Sequence, residues 1–115
     1  MFSFQRPSTP EISVDELDRL LRDGNARVLD VREDWEYRLG HVPEAIHIPV
    51  GQLGRRFVDL PRDKRVAVIC QSGHRSLAAA DFLIAQGFEG VASVNGGTGA
   101  WARSGRKLDR PTSVA

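Results

Sequence analysis

The chain has 115 residues and a formal net charge of +1, with 41% apolar and 27% charged residues. This length suits a single domain with one core, and the composition is typical of a folded globular protein rather than a disordered one. The near-neutral charge gives no reason to expect nucleic acid or a membrane surface as the main partner, and no apolar run approaches the roughly 20 residues that span a bilayer.

Cysteine usage narrows the chemistry and the cellular setting. Cys70 is the only cysteine. An internal disulfide is therefore excluded, and a reducing compartment is expected, with the cytoplasm as the default. Residues 1–10 lack the charged and apolar regions of a secretory signal. One cysteine and three histidines have no metal-ligand spacing, so the sequence predicts no metal site.

The first half of the chain alternates helical and strand patterns. Residues 1–10 contain two prolines and several small polar residues, and are expected to form a flexible lead-in. Ser13 followed by Glu16 is typical of a capping box, and leucines at helical spacing predict a helix that ends near Gly24. The next predicted elements are a strand at 27–31, a helix at 33–39, a strand at 45–48 and a helix at 52–60.

The clearest strand pattern lies in the second half. Residues 65–69 are almost continuously apolar, which is typical of a central strand in a parallel sheet that is covered on both faces. Strands alternate with helices along residues 11–104, so the predicted fold class is a single α/β domain with a mostly parallel sheet. The remaining predicted elements are a helix at 77–86, a strand at 90–94, a helix at 99–104, and a loose polar tail at 105–115.

Cys70 ends the central strand and is followed by a short loop and a helix. In an open parallel sheet, ligands bind beyond the carboxyl ends of the strands. Gly73 lets the loop curl, so that backbone N–H groups surround the sulfur and stabilise its anion. An ordinary thiol has a pKa of about 8.5, which such surroundings lower. The pattern therefore predicts a nucleophile, although most lone cysteines are buried structural residues.

The loop after Cys70 is expected to hold an anion-sized substrate against the sulfur. Ser72 and Ser76 offer hydroxyl donors. Arg75 is expected to be the main charged group, because a cation at the start of a helix is favourable where an anion binds. His74 is equally consistent with a substrate contact and with an exposed loop residue. The candidate substrate-binding residues of the loop are Gln71, Ser72, Gly73, His74, Arg75 and Ser76.

Four short segments carry a family resemblance. They are Asp30-Val31-Arg32-Glu33 with Trp35-Glu36-Tyr37, the stretch from Gly40 to Pro49, the loop from Cys70 to Ser76, and Asn95-Gly96-Gly97 with Trp101. In this order, the segments resemble the signatures of the rhodanese family of sulfurtransferases in its single-domain form. Each motif alone is weak, but together they cover roughly residues 11–104, which makes the match specific.

The resemblance implies a three-layer α/β/α fold around a sheet of about five strands. It also implies that Cys70 accepts a sulfane sulfur from an anionic donor such as thiosulfate and becomes a persulfide. The sulfur would then pass to cyanide or to a thiol, and neither a metal nor an organic cofactor is needed. This scheme agrees with the nucleophilic thiolate that the loop pattern predicts.

Loop length and composition separate the prediction from related functions. The phosphatases that share the fold carry a wider C-x5-R loop, whereas Cys70 and Arg75 form a C-x4-R loop that favours a sulfur-sized group. Gln71 stands where many family members carry arginine or lysine, which removes a charge that would attract thiosulfate. The alternative function is a sulfur-relay or regulatory module that a partner protein loads, with little turnover of small molecules.

Several residues outside the loop have both a structural and a functional interpretation. Arg32 follows a strand end and is a candidate substrate contact at the rim of the site, although pairing with a nearby carboxylate is preferred. His41 and His47 are interpreted as structural histidines. Trp35 and Trp101 either line the pocket entrance or pack in the core, and core packing is preferred for Trp101.

Overall fold

The computed structural model describes residues 9–111. They form a five-stranded sheet in the order β1-β5-β4-β2-β3, and every pairing in it is parallel. The α/β class and the parallel sheet predicted from the sequence are thus confirmed. The strands are β1 (Glu11–Ile12), β2 (Ala26–Asp30), β3 (Ile46–His47), β4 (Arg65–Ile69) and β5 (Ala92–Val94).

Five helices connect and cover the strands. They are α1 (Val14–Arg22), α2 (Asp34–Leu39), α3 (Val50–Arg56), α4 (His74–Ala85) and α5 (Gly97–Arg103), with a 3₁₀ turn at Phe57–Asp59 after α3. Ser13 accepts a hydrogen bond from the Glu16 amide at the start of α1, as its position in the capping pattern predicts. No helix within residues 9–111 is long and apolar enough to cross a membrane.

Two apolar clusters lie on opposite faces of the sheet. Val66 and Val68 of β4 belong to the cluster beneath α3 and α4, whereas Ala67 and Ile69 belong to the cluster beneath α1 and α5. This alternation follows from the two-residue period of a strand, and burial on both faces explains why β4 has no polar interior position. The molecule is therefore a three-layer α/β/α sandwich with β4 at its centre.

Several element boundaries differ from those expected. Helix α4 begins at His74 rather than at residue 77, because Gly73 adopts a left-handed conformation (φ 106°) that turns the loop directly into the helix. The helix expected over 52–60 ends at Arg56. Pro61 restricts Leu60 to an extended conformation, so the chain closes with a short 3₁₀ turn instead. Strand β1, at the edge of the sheet, falls outside the elements that were expected.

The expectation of a loose tail after residue 104 is wrong for residues 105–110. The Trp101 indole N–H donates to the Lys107 carbonyl at 2.8 Å, and Arg106 pairs with carboxylates of α1. His41 and Asp109 exchange two backbone hydrogen bonds of 2.8 and 2.9 Å. We call residues 105–110 the C-terminal strap. Residues 1–8 of the expected lead-in and residues 112–115 of the expected tail lie outside the described part of the chain.

Candidate active site

Cys70 directly follows the central strand, at the carboxyl edge of the sheet. By strand alternation its side chain lies on the α4 face with Val66 and Val68, and only 1% of the residue is exposed. The position agrees with the general rule that open parallel sheets bind ligands at this edge. The sulfur is therefore held at the base of the loop and not on the molecular surface.

Hydrogen-bond donors surround the sulfur atom. The amide of Gly73 lies 3.1 Å from Sγ, and the amide of Ser76 lies 3.3 Å from it. The Ser76 hydroxyl is also 3.3 Å from Sγ, and the Ser93 hydroxyl of β5 is 2.8 Å from that of Ser76. The loop and the first turn of α4 thus form the ring of donors that the sequence pattern predicted.

Two opposing effects act on the pKa of the Cys70 thiol. The larger single effect is burial, which disfavours the anion and raises the pKa. The Ser76 hydroxyl and the amides of Ser76, Gly73 and Ser72 act in the opposite direction. Together these hydrogen bonds outweigh burial, so the pKa of the thiol lies below its ordinary value and the thiolate is favoured.

The amino-terminal end of α5 fixes the shape of the loop. Thr98 donates its amide (2.8 Å) and its hydroxyl (3.1 Å) to the Cys70 carbonyl, and the Gly99 amide donates to the Gln71 carbonyl at 3.0 Å. In a trans peptide the C=O and the following N–H point in opposite directions. The hydrogen bond from Gly99 to the Gln71 carbonyl therefore helps to turn the following amide, that of Ser72, toward the sulfur.

Gly97 allows this close approach of α5 to the loop. Its φ is +59°, and a Cβ atom there would collide with the Cys70 carbonyl oxygen and with the Gln71 backbone. Only glycine fits both the backbone conformation and the available space. The Asn95-Gly96-Gly97 motif thus has a direct geometric link to the cysteine loop.

Arg75, expected to be the main charged group of the loop, is paired with Glu36 of α2. Its two terminal nitrogens donate to the two carboxylate oxygens at 2.6 and 2.8 Å. This hydrogen bond is the main reason that the pKa of Glu36 is lowered to about 2, against the opposing effect of burial. Arg75 also lies within the electrostatic reach of Cys70. Its charge therefore stabilises the thiolate, but Glu36 neutralises part of it.

Arg32 has a supporting role beneath the rim of the site. Its guanidinium donates to both carboxylate oxygens of Asp30, at 2.8 to 3.1 Å, and to the Gly40 carbonyl at 2.7 Å. Both side chains of the ion pair are almost fully buried. The pair ties the end of β2 to the segment after α2, which is the arrangement preferred for Arg32 from the sequence.

The other candidate loop residues are on the surface. Gln71, Ser72 and His74 are exposed, and the Ser72 hydroxyl lies 3.3 Å from Nδ1 of His74. Ser76, in contrast, is fully buried in the first turn of α4. The loop therefore has an outer, solvated part and an inner part that contacts the sulfur.

The two histidines of the second motif stack on a tyrosine. Tyr37 lies between His41 and His47, with ring centroids 3.7 and 4.2 Å away. His41 Nδ1–H donates to the Tyr37 carbonyl, and His47 Nε2–H donates to the Arg32 carbonyl. His47 thus supports the backbone at Arg32, whereas His41 supports the last turn of α2. Among residues 9–111, no group of three or more metal-ligating side chains is arranged to hold a metal ion.

A cavity of about 380 Å³ adjoins the outer part of the loop. Trp35, which is 65% exposed, lies at this cavity, whereas Trp101 is buried (4% exposed) and packs in the core. A cavity of about 490 Å³ near Arg65 lies at the opposite end of β4, away from the sulfur. The lining of the 380 Å³ cavity includes Arg32, Trp35, Glu36, Leu39, Gln71 and Leu108.

Three residues at the site have contacts that the sequence did not predict, among them Glu36, which was a possible partner of Arg32 and pairs with Arg75 instead. Glu36 and Thr98 act through contacts with residues 39 and 28 positions away, so no local pattern indicates them. Ser93 lies in a predicted strand, where a single serine among apolar residues is the only available signal. Gly97 belonged to a recognised motif, but its function in holding the loop depends on tertiary structure.

Comparison with known proteins is consistent with this geometry. The profile of the rhodanese-like domain matches residues 13–104. The chain is similar to a rhodanese-related protein from Thermoplasma volcanium, with 35% identity, a TM-score of 0.81, and 87% of this chain and 97% of that chain covered. A human single-domain sulfurtransferase is 28% identical, with a TM-score of 0.73 and coverage of 83% and 96%.

A thiosulfate sulfurtransferase from Pseudomonas aeruginosa is 29% identical, with a TM-score of 0.81 and 91% of this chain covered. The match spans only 21% of that longer protein. The fold, the order of the motifs and the profile match over most of the chain agree with one another. The chain therefore belongs to the rhodanese-like domain family.

Proposed function

We propose that this chain is a sulfurtransferase that moves a sulfane sulfur from a donor such as thiosulfate to a thiol or cyanide, with Cys70 as the carrier. The observation that supports this most directly is the ring of donors around Sγ, with the Gly73 amide at 3.1 Å and the Ser76 amide at 3.3 Å. A thiolate stabilised in this way is the species that attacks sulfur.

In the first half-reaction, the Cys70 thiolate attacks the outer sulfur of thiosulfate. A new S–S bond forms at Cys70, the S–S bond of thiosulfate breaks, and its electron pair leaves with sulfite. The product is an anionic persulfide on Cys70. Amides that stabilise the thiolate also suit the charge of the terminal persulfide sulfur, so the same loop serves both states of the cycle.

In the second half-reaction, the acceptor attacks the terminal sulfur. Cyanide takes that sulfur from the persulfide anion as thiocyanate, and the S–S bond electrons return to Cys70 as a thiolate. An organic thiolate attacks the protonated persulfide in the same way, and leaves as an organic persulfide. The cycle is a two-step exchange through a covalent intermediate, and no cofactor takes part.

The second candidate is a sulfur-relay or regulatory module that a partner protein loads. The Arg75–Glu36 pair favours it, because Glu36 partly neutralises the cation that acts on Cys70. Gln71 adds no charge next to Cys70. A doubly charged small donor would therefore be attracted only weakly to this loop. A persulfide delivered by a docked protein depends less on the positive potential of the loop.

Intact-protein mass measurement tests the carrier role of Cys70. After incubation with thiosulfate, the wild-type chain should gain the mass of one sulfur atom, about 32 Da, and lose it on addition of a thiol. Cys70→Ser should show no gain and should melt within a few degrees of wild type. Unchanged sulfur transfer by Cys70→Ser would refute the assignment.

Two donors distinguish the two candidate functions. Loading by thiosulfate is compared, by the same mass gain, with loading by the persulfide of a cysteine desulfurase. Rapid loading by thiosulfate and turnover with cyanide support the small-molecule enzyme. Loading by the desulfurase alone supports the relay module, and no loading by either donor contradicts both.

The proposed chemistry is suited to a reducing compartment such as the cytoplasm. A single ionised thiol has no second cysteine in this chain with which to form a protective disulfide. In an oxidising setting it would be exposed to sulfenic and sulfinic acid formation. A pool of thiols also supplies the acceptor that the second half-reaction needs.

A further inference from the structure

Two buried serines connect to the sulfur of Cys70 through successive hydrogen bonds. Ser76 Oγ is 3.3 Å from Sγ, and Ser93 Oγ is 2.8 Å from Ser76 Oγ. Both serines are fully buried. One comes from the first turn of α4 and the other from β5, so the three polar atoms form a short chain that crosses from the helix layer to the sheet.

Strand geometry places Ser93 on the α4 face of the sheet. Its neighbours Ala92 and Val94 belong to the apolar cluster beneath α1 and α5, so Ser93 points to the opposite face, where Cys70 also lies. Among the described residues, the Ser93 hydroxyl hydrogen-bonds only to Ser76. A polar group in this apolar layer is favourable only because of that one contact.

The number of protons in the hydrogen-bond chain formed by Ser93, Ser76 and Sγ depends on the charge of the sulfur. Sγ and the two hydroxyl oxygens are joined by two links, and each link uses one proton. In the thiolate there are two protons, so Ser93 donates to Ser76 and Ser76 donates to Sγ. In the thiol there are three protons, and one of them has no acceptor among these three atoms. Because both serines are fully buried, this hydrogen-bond chain favours the thiolate.

We propose that Ser93 is a positioning residue for sulfur transfer: its hydroxyl donates to Ser76 Oγ and so directs the Ser76 proton at Sγ. Ser93 does not touch the reacting sulfur and acts only through Ser76. The same arrangement suits the persulfide, because Sγ then carries no proton and still accepts from Ser76. The inference rests on the proposed role of Cys70 as the nucleophile.

Charged groups on the neighbouring elements also act on the sulfur and on the two serines. Arg75, in the first turn of α4, acts on Cys70 through its charge and is paired with Glu36 of α2. The Asp30–Arg32 pair lies at the carboxyl end of β2, and its two members hydrogen-bond to each other. Since serine-to-alanine substitutions leave these four groups in place, their contribution is the same in every variant that the test compares.

The test measures the pKa of the thiol without any sulfur donor. Because Cys70 is the only cysteine, the rate of alkylation by iodoacetamide as a function of pH reports its ionisation alone. The proteins compared are wild type, Ser76→Ala, Ser93→Ala and the double variant. Ser104→Ala serves as the control, since the hydroxyl of Ser104 donates to the Trp101 carbonyl and takes no part in the hydrogen bonds between Ser93, Ser76 and Sγ.

Ser76→Ala should raise the thiol pKa by about one unit, the value of a hydrogen bond to a charged group. Ser93→Ala should raise it by about half a unit, and the double variant should match Ser76→Ala because Ser93 has nothing left to orient. Ser104→Ala should keep the wild-type value. Thermal melts of each variant verify that it is folded.

Two results would overturn the inference. One is a wild-type thiol pKa in Ser93→Ala, which can be read even if Ser76→Ala does not fold. The other is a double variant whose shift equals the sum of the two single shifts. Neither result depends on sulfur loading, so failure here is distinct from failure of the proposed function, which the mass measurements decide.

Discussion

The proposed reactivity of Cys70 depends on how several donors balance the cost of burial. A sulfur that is 1% exposed would ordinarily be a neutral core thiol, and Cys70 does share its cluster with Val66 and Val68. The amides of Gly73 and Ser76 change that outcome, because they point at Sγ from the loop. Together with the Ser76 hydroxyl, these amides lower the pKa of the thiol below its ordinary value, against the effect of burial.

Gly97 offers a test of how tightly the loop must be held. Gly97→Ala introduces a Cβ atom onto the Cys70 carbonyl and forces a left-handed alanine, so we expect a loss of about 2–4 kcal/mol of stability. Sulfur loading by thiosulfate should fall with it, because the loop carbonyls can no longer bind α5. Chemical denaturation and the mass assay measure the two effects.

Gly54→Ala is the matched control for that substitution. Gly54 lies within α3, and a Cβ atom there would meet nothing within 4 Å. We expect it to stabilise the chain by about 0.5–1 kcal/mol and to leave sulfur loading unchanged. Equal stability of the Gly97→Ala and Gly54→Ala variants would contradict the close approach of α5 to the loop.

At the residue scale, local sequence indicates the proposed nucleophile but not the residues that support it. Cys70 and Gly73 are recognisable because a strand, a sharp turn and a helix follow one another along the chain. Thr98 and Ser93 contact the same loop from elements more than 15 residues further along. Their roles depend on strand order in the sheet, which a single sequence does not specify.

At the element scale, the Glu36–Arg75 pair joins α2 to α4. All six residues of α2 are partly or fully exposed, so this short helix has little apolar contact of its own to hold it in place. The side chain of Glu36 is only 12% exposed, and both of its oxygens accept from Arg75. A bidentate, partly buried pair is stronger than an ordinary surface ion pair.

This pair should make stability depend on acid pH. The folded-state pKa of Glu36 is about 2, below its ordinary value of 4.5. Its contribution is therefore complete above about pH 4.5 and is lost as the pH falls toward 2. Glu36→Gln should cost about 1–2 kcal/mol at neutral pH, and its unfolding free energy should decline less across that window than that of wild type.

Denaturant titrations between pH 2 and pH 7 provide the measurement. Asp34→Asn is the control on the same helix, because Asp34 pairs with Arg38 at an exposed position. Asp63, whose pKa is also lowered to about 2 by Arg27, is unchanged in both variants and contributes equally. Parallel pH curves for wild type and Glu36→Gln would rule out the proposed stabilisation.

The elements differ in how far sequence alone defines them. Strand β4 is predicted with its correct ends, because four consecutive apolar residues follow Arg65 and precede the polar loop. Strand β1 has only two residues, and pairing with β5 gives it its conformation. The sequence predicts the start of α4 three residues too late, since no side chain caps the helix before His74 and the turn depends on the conformation of Gly73.

At the scale of the whole molecule, the C-terminal strap closes one side of the domain. Leu108 packs against the cluster beneath α1 and α5. It also lies next to Gly40, where a Cβ atom would come within 3.2 Å of the Leu108 side chain. It also lines the cavity next to the cysteine loop. The strap therefore links the end of the chain to the segment after α2, and contributes both to the core and to the surroundings of the site.

Leu108→Ala should destabilise the domain by about 1–2 kcal/mol through lost apolar contact. For a domain of this size, that corresponds to a fall in Tm of about 4–8 °C for each kcal/mol. Lys107→Ala, whose side chain is 79% exposed, should melt close to wild type because its carbonyl contact with Trp101 is retained. Identical melting of both variants would count against a docked strap.

The position of β4 also has a consequence for slow opening of the molecule. With two strands on each side of it, the amides of β4 can exchange with deuterated solvent only when the sheet itself separates. The backbone that anchors Cys70 should therefore be among the last regions to take up deuterium, while the edge strand β3 exchanges early. The sulfur of Cys70 should thus be carried by the most slowly fluctuating part of the fold, and its geometry should persist until the chain unfolds globally.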